Sequence, residues 1–297
     1  MPTDHDLCLS WNWEHDADFI ALVAAAFAGA GRSLLQVTPA TLERTLAALA
    51  AGELTFRGWL DRASESDPRF LPLAAWARAR GLPGVNGHDE ALRASDKSAL
   101  HRALFSVLRT PYTIVLAPFD AQPTLKGLDL APLGPVFSIK PAHGGGGEGV
   151  VVEARTLAEV LAARRQFPAD EYLVQTHIQA ARPGGRLAWF RVIHCLGEIR
   201  ACWWDPASHI YTPVTAAEEG EFKLGRLREL AATIARVTGL RLFSTEIALT
   251  PEGQLVVVDY ANDPIDLRLQ SRCSEGVPDD VARWVAARLA SSVSSGA

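Results

Sequence analysis

The stretch Lys140-Pro141-Ala142-His143-Gly144-Gly145-Gly146-Gly147-Glu148-Gly149 decides the fold of this chain. Residues 136–139 and 150–152 on either side are mostly β-branched or apolar, which predicts two strands joined as a hairpin. A hairpin needs only about two turn residues, and glycine costs backbone entropy, so stability alone does not account for the glycines. Bare backbone N–H groups can close over phosphate oxygens, and Lys140 can bring a positive charge to them. The stretch therefore predicts a flexible phosphate-binding flap, with a mobile surface turn as the alternative.

Two better-known phosphate motifs are excluded by the residues that follow. Gly144, Gly146 and Gly149 match the spacing G-x-G-x-x-G, but a dinucleotide-binding loop leads into a helix, whereas three valines follow here. A Walker loop requires Gly-Lys-Ser/Thr at the position of Glu148-Gly149-Val150. The hairpin with a glycine flap is the interpretation that remains.

Composition and charge narrow the class of protein. The chain has 297 residues, 48% of them hydrophobic, and a net charge of −5, which indicates a globular protein of two or three subdomains without a basic nucleic-acid footprint. Its four cysteines show no C-x-x-C spacing, so we expect thiols and no cysteine metal site. The first residues lack the basic region of a signal peptide, and no apolar stretch reaches the roughly 18 residues of a membrane span. We therefore expect a cytoplasmic enzyme that binds neither nucleic acid nor membrane.

Three regions follow one another along the chain. Residues 1–90 alternate strand-like and helical patterns, which predicts a small parallel α/β domain. Residues 91–178 carry the flap and end in a strand-like run. Residues 179–297 contain a long amphipathic helix followed by a hairpin, which predicts a further lobe.

Two acidic residues face each other in that last hairpin. If Thr250 pairs with Leu255 across a four-residue turn, Glu246 lies directly opposite Asp259 on the same face. Two facing carboxylates repel unless a cation lies between them, and Asn262 adds a neutral oxygen nearby. These residues predict a site for a hard cation, with Mg²⁺ as the first choice. The alternative is a solvated Glu246 at a sheet edge, and a register slip of one residue would separate the carboxylates.

The order of these signals resembles the ATP-grasp superfamily over nearly the whole chain. The resemblance is carried by Asp96-Lys97-Ser98 at a helix start, Ile139-Lys140-Pro141 with the glycine flap, Tyr172 to Ile178, and Val257-Val258-Asp259 through Asn262. It implies an α/β fold in which an N-terminal parallel domain (residues 1–90) precedes two α+β lobes (91–178 and 179–297) that clamp the nucleotide. The implied ligands are ATP and Mg²⁺, with Mn²⁺ as an alternative metal.

The same resemblance implies roles for individual residues. ATP would be bound by Lys97, Lys140, His143, Gly144, Gly145, Gly146, Gly147 and Gly149 at the phosphates, and by Gln175, Thr176, His177 and Ile178 at the adenine. The metal would be held by Glu246, Asp259 and Asn262, and catalysis would depend on Lys140 and Arg191. For His143, a solvated loop position is the alternative.

Candidate substrate residues come from the pattern of strands and not from the resemblance. Trp11 and Trp13 follow the first apolar strand, where open α/β sheets place ligand-binding residues. Trp204 and Arg268 are further candidates, the arginine because it suits a substrate carboxylate. For each tryptophan, packing in the core is the alternative.

The resemblance also implies a reaction. Members of the superfamily most often use ATP to convert a carboxylate into an acyl phosphate, which an amine or thiol then attacks. We therefore expect an ADP-forming carboxylate-amine ligase whose substrates are small-molecule or peptide carboxylates and amines. A kinase acting on a hydroxyl, or a nucleotide-binding regulatory protein without catalysis, would use the same site. The sequence does not specify the oligomeric state, and a homodimer is one option.

Overall fold

The structure is a computed structural model that describes residues 2–292. Its strands are β1 (Thr3–His5), β2 (Leu7–Trp11), β3 (Leu34–Val37), β4 (Leu54–Phe56), β5 (Trp59–Arg62), β6 (Gly84–Val85), β7 (Thr113–Leu116), β8 (Phe137–Pro141), β9 (Val151–Ala154), β10 (Tyr172–Thr176), β11 (Trp189–Cys195), β12 (Glu198–Trp204), β13 (Tyr211–Pro213), β14 (Leu242–Leu249) and β15 (Leu255–Asn262). Its α-helices are α1 (Ala17–Gly29), α2 (Leu42–Ala50), α3 (Leu71–Ala79), α4 (His88–Ser95), α5 (Lys97–Leu104), α6 (Leu157–Arg164), α7 (Ala216–Glu221), α8 (Arg226–Thr238) and α9 (Asp279–Ser292). The mixed α/β class predicted from the sequence is confirmed.

The first sheet is parallel throughout, as the alternating pattern predicts. Its strand order is β3-β2-β5-β6, and β1 and β4 form a separate parallel pair. Helix α1 buries Phe19, Val23 and Phe27 in a core that it shares with α9 from the far end of the chain. Because parallel strands all end at one edge, the loops after Trp11 and Arg62 meet at that edge.

The second sheet is antiparallel and has the strand order β7-β10-β8-β9. β8 and β9 flank the glycines and pair with each other, so the predicted hairpin is confirmed. Lys140 lies directly beside Leu173, and Ser138 beside Gln175, which puts these four side chains on one face. Helix α6 covers the opposite face of the sheet. The face with Lys140 is therefore the one left for the third sheet and the nucleotide.

The third sheet is also antiparallel, with the order β13-β12-β11-β14-β15. Helix α8 buries Leu227, Ala231 and Ile234 against one face of this sheet, and α9 packs on the other. The long amphipathic helix predicted in this region is therefore present. Helix α4 spans residue 90 and α9 packs with α1, so contacts cross the predicted domain boundaries, which stay predictions.

The hairpin β14–β15 corrects one detail of the predicted register. Leu249, and not Thr250, pairs with Leu255, so the turn differs from the expectation by one residue. Ile247 then pairs with Val257, while Glu246 pairs with Asp259. The extra residue between these pairs is a β-bulge that restores the predicted pairing of the two acids.

No helix within residues 2–292 is long and apolar enough to cross a membrane.

Candidate functional site

The first cation of the candidate site lies at the start of helix α5. Asp96 caps this helix by accepting hydrogen bonds from the backbone N–H groups of Ser98 and Ala99 at 2.9 and 3.0 Å. The cap makes Lys97 the first helical residue, and Lys97 Nζ donates to the carbonyl oxygen of Gly144 in the flap. Burial lowers the pKa of Lys97, and the nearby charge of Asp259 acts against this shift. Lys97 is therefore a half-buried cation between the flap and the predicted metal residues.

The second cation crosses from the flap sheet to the third sheet. Lys140 leaves β8 on the face that looks toward β15, and its Nζ donates to the carbonyl oxygen of Val258 at 3.2 Å. Lys140 also lies close enough to Lys97 for its charge to lower the pKa of that lysine. Lys97, Lys140 and Asp259 thus lie close together, although they are far apart in the sequence.

The flap glycines fall into two groups. At Gly144, Gly145, Gly146 and Gly147, a Cβ atom would meet nothing within 4 Å, so this backbone is open to a ligand. At Gly149, where φ is +70°, a Cβ atom would lie 2.6 Å from the ring of Phe167. Gly149 is therefore required by packing and backbone conformation. Packing does not explain the other four glycines, although a positive φ also favours glycine at Gly144, Gly146 and Gly147.

His143 is held at the edge of the flap by a carboxylate. Its Nδ1 lies 2.9 Å from Asp170 Oδ1, and its backbone N–H donates to Asp170 Oδ2 at 2.9 Å. The side chain is 60% exposed. The ring is thus oriented by Asp170 beside the phosphate region, and it makes no contact with Lys97 or Lys140.

The residues of the predicted adenine segment differ in burial and in their hydrogen-bond partners. Gln175 is 1% exposed, and its Nε2 donates to Thr113 Oγ1 at 3.0 Å and to Tyr260 Oη at 3.3 Å. Thr176 ends β10 and its backbone N–H donates to Tyr112 at 2.9 Å. Beyond the strand, no backbone hydrogen-bond partner within residues 2–292 is found for His177 or Ile178. The backbone of these two residues can therefore bond a ligand.

The predicted metal residues come together on the β14–β15 hairpin. Glu246 and Asp259 are cross-strand partners, and Asn262 Nδ2 donates to Asp259 Oδ2 at 3.0 Å. Oxygen atoms of this kind are the ligands that Mg²⁺ prefers, so these residues fit a hard cation. Across residues 2–292 there is no group of three or more His, Cys, Asp and Glu side chains placed to hold a metal. An amide oxygen would therefore have to complete the set.

Glu246 is not the solvated edge residue of the alternative interpretation. Its side chain is 16% exposed, Trp189 Nε1 donates to its Oε2 at 3.1 Å, and Arg191 NH1 donates to its Oε1. Arg191 Nε also donates to Ser244 Oγ at 3.1 Å. Arg191, the predicted catalytic arginine, thus lies beside the predicted metal ligands and is already paired with one of them, Glu246.

Two of the substrate candidates contact each other. The guanidinium of Arg268 lies 5.6 Å from the centre of the Trp13 ring, which is 37% exposed. Arg268 is also bonded to Asp266 at 2.6 to 3.1 Å, so its charge is already matched by a carboxylate. Trp13 and Arg268 therefore contact each other just beyond the end of β2, at the edge of the first sheet.

The other two tryptophans are more enclosed. Trp204 is 9% exposed and packs between the guanidinium of Arg191 at 5.1 Å and the ring of Tyr211 at 4.5 Å. Trp11 is partly buried against the core shared by α1 and α9. Both rings are therefore mostly packed in the core, as the alternative interpretation predicts. Trp204 also covers the guanidinium of Arg191.

Several polar residues at the edge of the first sheet had been assigned no specific role from the sequence. Asp16 and Arg62 form a buried ion pair at 2.7 and 2.8 Å, and Arg62 NH2 donates to the carbonyl oxygen of Ile265 at 2.8 Å. Burial raises the pKa of Asp263 to about 7, partly offset by a hydrogen bond from Asn86. The position of Arg62 at the end of β5, and of Asn86 just after β6, was the available signal.

Comparison with solved structures relates this arrangement to known proteins. The chain is similar to a RimK-domain ATP-grasp protein from Sphaerobacter thermophilus DSM 20745, with 26% identity over 96% of this chain and 99% of that chain and a TM-score of 0.60. A D-alanine–D-alanine ligase from Bacillus anthracis complexed with ATP matches at 12% identity, over 97% of this chain and 95% of that one, with a TM-score of 0.64. The ligase PsnB complexed with a minimal precursor, Mg and ADP matches at 11% identity, over 95% of this chain and 98% of that one, with a TM-score of 0.62. No protein-family model and no curated protein matches the chain.

Proposed function

Because the chain belongs to the ATP-grasp superfamily, we propose that it is an ATP- and Mg²⁺-dependent ligase that joins a carboxylate to an amine or a thiol. The observation that carries this proposal is the meeting of Lys97, Lys140 and Asp259 in one cleft beneath the glycine flap. The two lysines would match the negative charges of the phosphate chain. Asp259, which faces Glu246, would match the positive charge of the metal.

The phosphate end of ATP would lie under the open part of the flap. Lys97 and Lys140 donate to carbonyl oxygens of the protein, and phosphate oxygens are stronger acceptors that would replace them. The backbone of residues 144–147 would close over the same oxygens and exclude water. The adenine would be read by the backbone of His177 and Ile178, beside the buried side chain of Gln175.

The metal would be held by Asp259, Asn262 and Glu246, with Mn²⁺ as a possible substitute for Mg²⁺. When bound, it would neutralise charge on the phosphates. Glu246 would have to share its carboxylate between the metal and Arg191, whose NH1 donates to Oε1. Arg191 would then be free to turn part of its guanidinium toward the transferred phosphoryl group.

The reaction needs no nucleophile from the protein. A carboxylate oxygen of the acid substrate attacks the γ-phosphorus, the bond to the β–γ bridging oxygen breaks, and ADP leaves. The amine or thiol then attacks the carbonyl carbon of the acyl phosphate, and inorganic phosphate leaves with the electron pair of the broken C–O bond. Catalysis comes from charge neutralisation by Lys97, Lys140 and Arg191 and from the exclusion of water by the flap.

The substrates would lie between the first sheet and the metal hairpin. Trp13, Arg268, Trp11 and Trp204 are the candidate residues of this cleft. Precursor-bound PsnB supports a peptide as one class of substrate, and a small-molecule acid is the other. A cytoplasmic location is part of the proposal and rests on the spacing of the four cysteines, which does not form a disulfide framework typical of secreted domains.

Calorimetric titration of ATP, with and without Mg²⁺, tests the nucleotide site. We expect micromolar binding by the wild-type protein, loss of the Mg²⁺ effect in Asp259→Asn, and weaker binding in Lys140→Met. Lys126→Met is the matched control, because Lys126 is an exposed lysine outside the cleft. A folded wild-type protein that does not bind ATP would contradict the proposed function.

Product analysis then separates a ligase from a kinase. With ATP and a mixture of acids and amines, a ligase releases ADP and free phosphate, whereas a kinase leaves the phosphate on its substrate. ADP formation without free phosphate would therefore favour the kinase.

A further inference from the structure

A buried phenol connects the elements that carry the candidate nucleotide residues. Tyr260 is 2% exposed on β15, and its hydroxyl oxygen lies 2.6 Å from His101 Nδ1 and 3.3 Å from Gln175 Nε2. The same Gln175 Nε2 also donates to Thr113 Oγ1 at 3.0 Å. Gln175 and His101 are 1% and 8% exposed. These four side chains form a polar network inside the interface between the second and third sheets.

Each partner in this network is close in sequence to a different part of the candidate site. Gln175 belongs to the strand that leads into the predicted adenine segment. His101 lies one helical turn after Lys97 on α5. Tyr260 directly follows Asp259. A single hydroxyl group thus touches the elements that would position the base, the phosphates and the metal.

We propose that Tyr260 is a positioning residue that couples adenine binding to metal-dependent binding of the phosphates. The inference rests on the proposed function, because it assigns a role within the same nucleotide site. Adenine binding sets the position of the phosphates relative to β10, whereas Asp259 is carried by β15 of another sheet. Buried hydrogen bonds between these strands fix the distance between the two, since a low-dielectric interior strengthens such bonds.

The alternative is that Tyr260 only packs in the core, as its place among Leu104, Leu173 and Val257 would allow. Tyr260→Phe keeps the ring and removes the hydroxyl. Tyr172→Phe is the matched control, because Tyr172 is also fully buried and its hydroxyl donates to the carbonyl oxygen of Ala163 at 2.8 Å. Tyr172 belongs to the same strand as Gln175 but packs in the core beneath α6.

The measurement is the factor by which Mg²⁺ strengthens the binding of ATP, determined by calorimetry for the full chain. We expect Tyr260→Phe to reduce this factor about tenfold, as the loss of one buried hydrogen-bonded link would do, and Tyr172→Phe to leave it unchanged within about twofold. Inorganic tripolyphosphate is the second probe. Because it has no adenine, the effect of Mg²⁺ on its binding should be the same in wild-type protein and Tyr260→Phe.

The outcomes separate this inference from the proposed function. A reduced Mg²⁺ factor for ATP alone, in Tyr260→Phe alone, supports the coupling. An unchanged factor in Tyr260→Phe, or an equal loss in both tyrosine variants, overturns the coupling while leaving the ATP site intact. A loss that appears equally with tripolyphosphate also overturns it, because the adenine would then have no part. Wild-type protein that binds no ATP overturns the proposed function, and this inference with it.

Discussion

The glycine flap and the β14–β15 hairpin, which we propose bind the same nucleotide, differ in how far their polar groups are already bonded within the protein. The flap from His143 to Glu148 is exposed, and at residues 144–147 side chains would meet open space. The hairpin is largely buried, and the acid Glu246 is bonded by Arg191 and Trp189. The flap thus leaves the backbone N–H groups of residues 144–147 available to a ligand, whereas the hairpin has already satisfied most of its own polar groups.

The difference extends to the cations of the two regions. Lys97 and Lys140 bond neutral carbonyl oxygens, which a phosphate can replace without leaving a buried charge unpaired. Arg191 bonds a carboxylate, and removing that acid would leave a cation whose side chain is only 13% exposed without its partner. The comparison therefore predicts that changes in the flap alter ligand binding, while changes in the hairpin alter stability as well.

The largest expected effect is on the stability of the hairpin. Glu246→Ala should lower the free energy of unfolding by about 3 kcal/mol, because it strands the guanidinium of Arg191 in a buried site. Chemical denaturation measures this value. Glu90→Ala is the matched control, since Glu90 pairs with Arg93 at the surface and such pairs contribute about 1 kcal/mol or less.

A second substitution shows whether the stranded charge is the cause. Adding Arg191→Met to Glu246→Ala should recover part of the lost stability, because the unpaired cation is then gone. Equal losses in Glu246→Ala and Glu90→Ala would contradict the contrast between the two regions.

The next effect concerns Lys97, the cation on α5 that donates to a carbonyl oxygen of the flap. Lys97→Met should weaken ATP binding about 10- to 100-fold, the cost of losing a charge-assisted hydrogen bond. The free energy of unfolding should stay the same or rise, because burial opposes the charge of Lys97 in the folded protein. Calorimetry and denaturation of one preparation provide both values. A large loss of stability would show that Lys97 is a structural residue like Arg191.

These contrasts indicate what could be read from the sequence. The flap was predictable because its signal is local: glycines between two strand patterns, ending at Lys140. The chain has only four lysines among its 29 basic residues, so Lys97 and Lys140 stood out against a background of arginine. The pairing of Glu246 with Asp259 was also local, since one short turn joins their strands.

The remaining features depend on elements far apart in the chain. Arg191 pairs with Glu246 because β11 lies beside β14, and strand order is not visible in either segment. The bulge that restores the pairing of Glu246 with Asp259 follows from backbone geometry and has no composition signal. The network around Tyr260 joins residues up to 159 positions apart. The assignment of Arg268 to a substrate overlooked Asp266, two residues away, which pairs with it.

A smaller effect tests whether the flap glycines serve a ligand or only a turn. Gly145 has no positive φ, and a Cβ atom there would meet nothing, so Gly145→Ala should leave stability unchanged within about 0.5 kcal/mol. A methyl group on a backbone that closes over phosphates should still weaken ATP binding by about tenfold. Unchanged ATP affinity would favour the alternative of a mobile surface turn.

Gly149→Ala provides the contrast within the flap. Its Cβ atom would collide with the ring of Phe167 and its φ is positive, so this variant should lose stability. If Gly149→Ala is as stable as the wild-type protein, packing does not distinguish Gly149 from the glycines at residues 144–147.

The smallest expected effect is a pH dependence of stability that arises in the third sheet, which contains the β14–β15 hairpin. His194 on β11 is 5% exposed and stacks on Phe243 of β14 at 4.9 Å. Burial lowers the pKa of His194, partly offset by a backbone hydrogen bond to Arg241. The unfolded chain therefore binds this proton more readily than the folded protein does. The contribution to stability is complete above the ordinary histidine pKa of about 6.5 and is lost as the pH falls below it.

His194→Met should flatten the loss of unfolding free energy between pH 7 and pH 5 by about 1 kcal/mol or less. Denaturant titrations at several pH values measure this slope for the variant and the wild-type protein. A residual slope should remain, because burial also lowers the pKa of His101 in the interface between the second and third sheets. An unchanged slope in His194→Met would mean that folding does not lower the pKa of His194, so that β11 is not closed to water at this position.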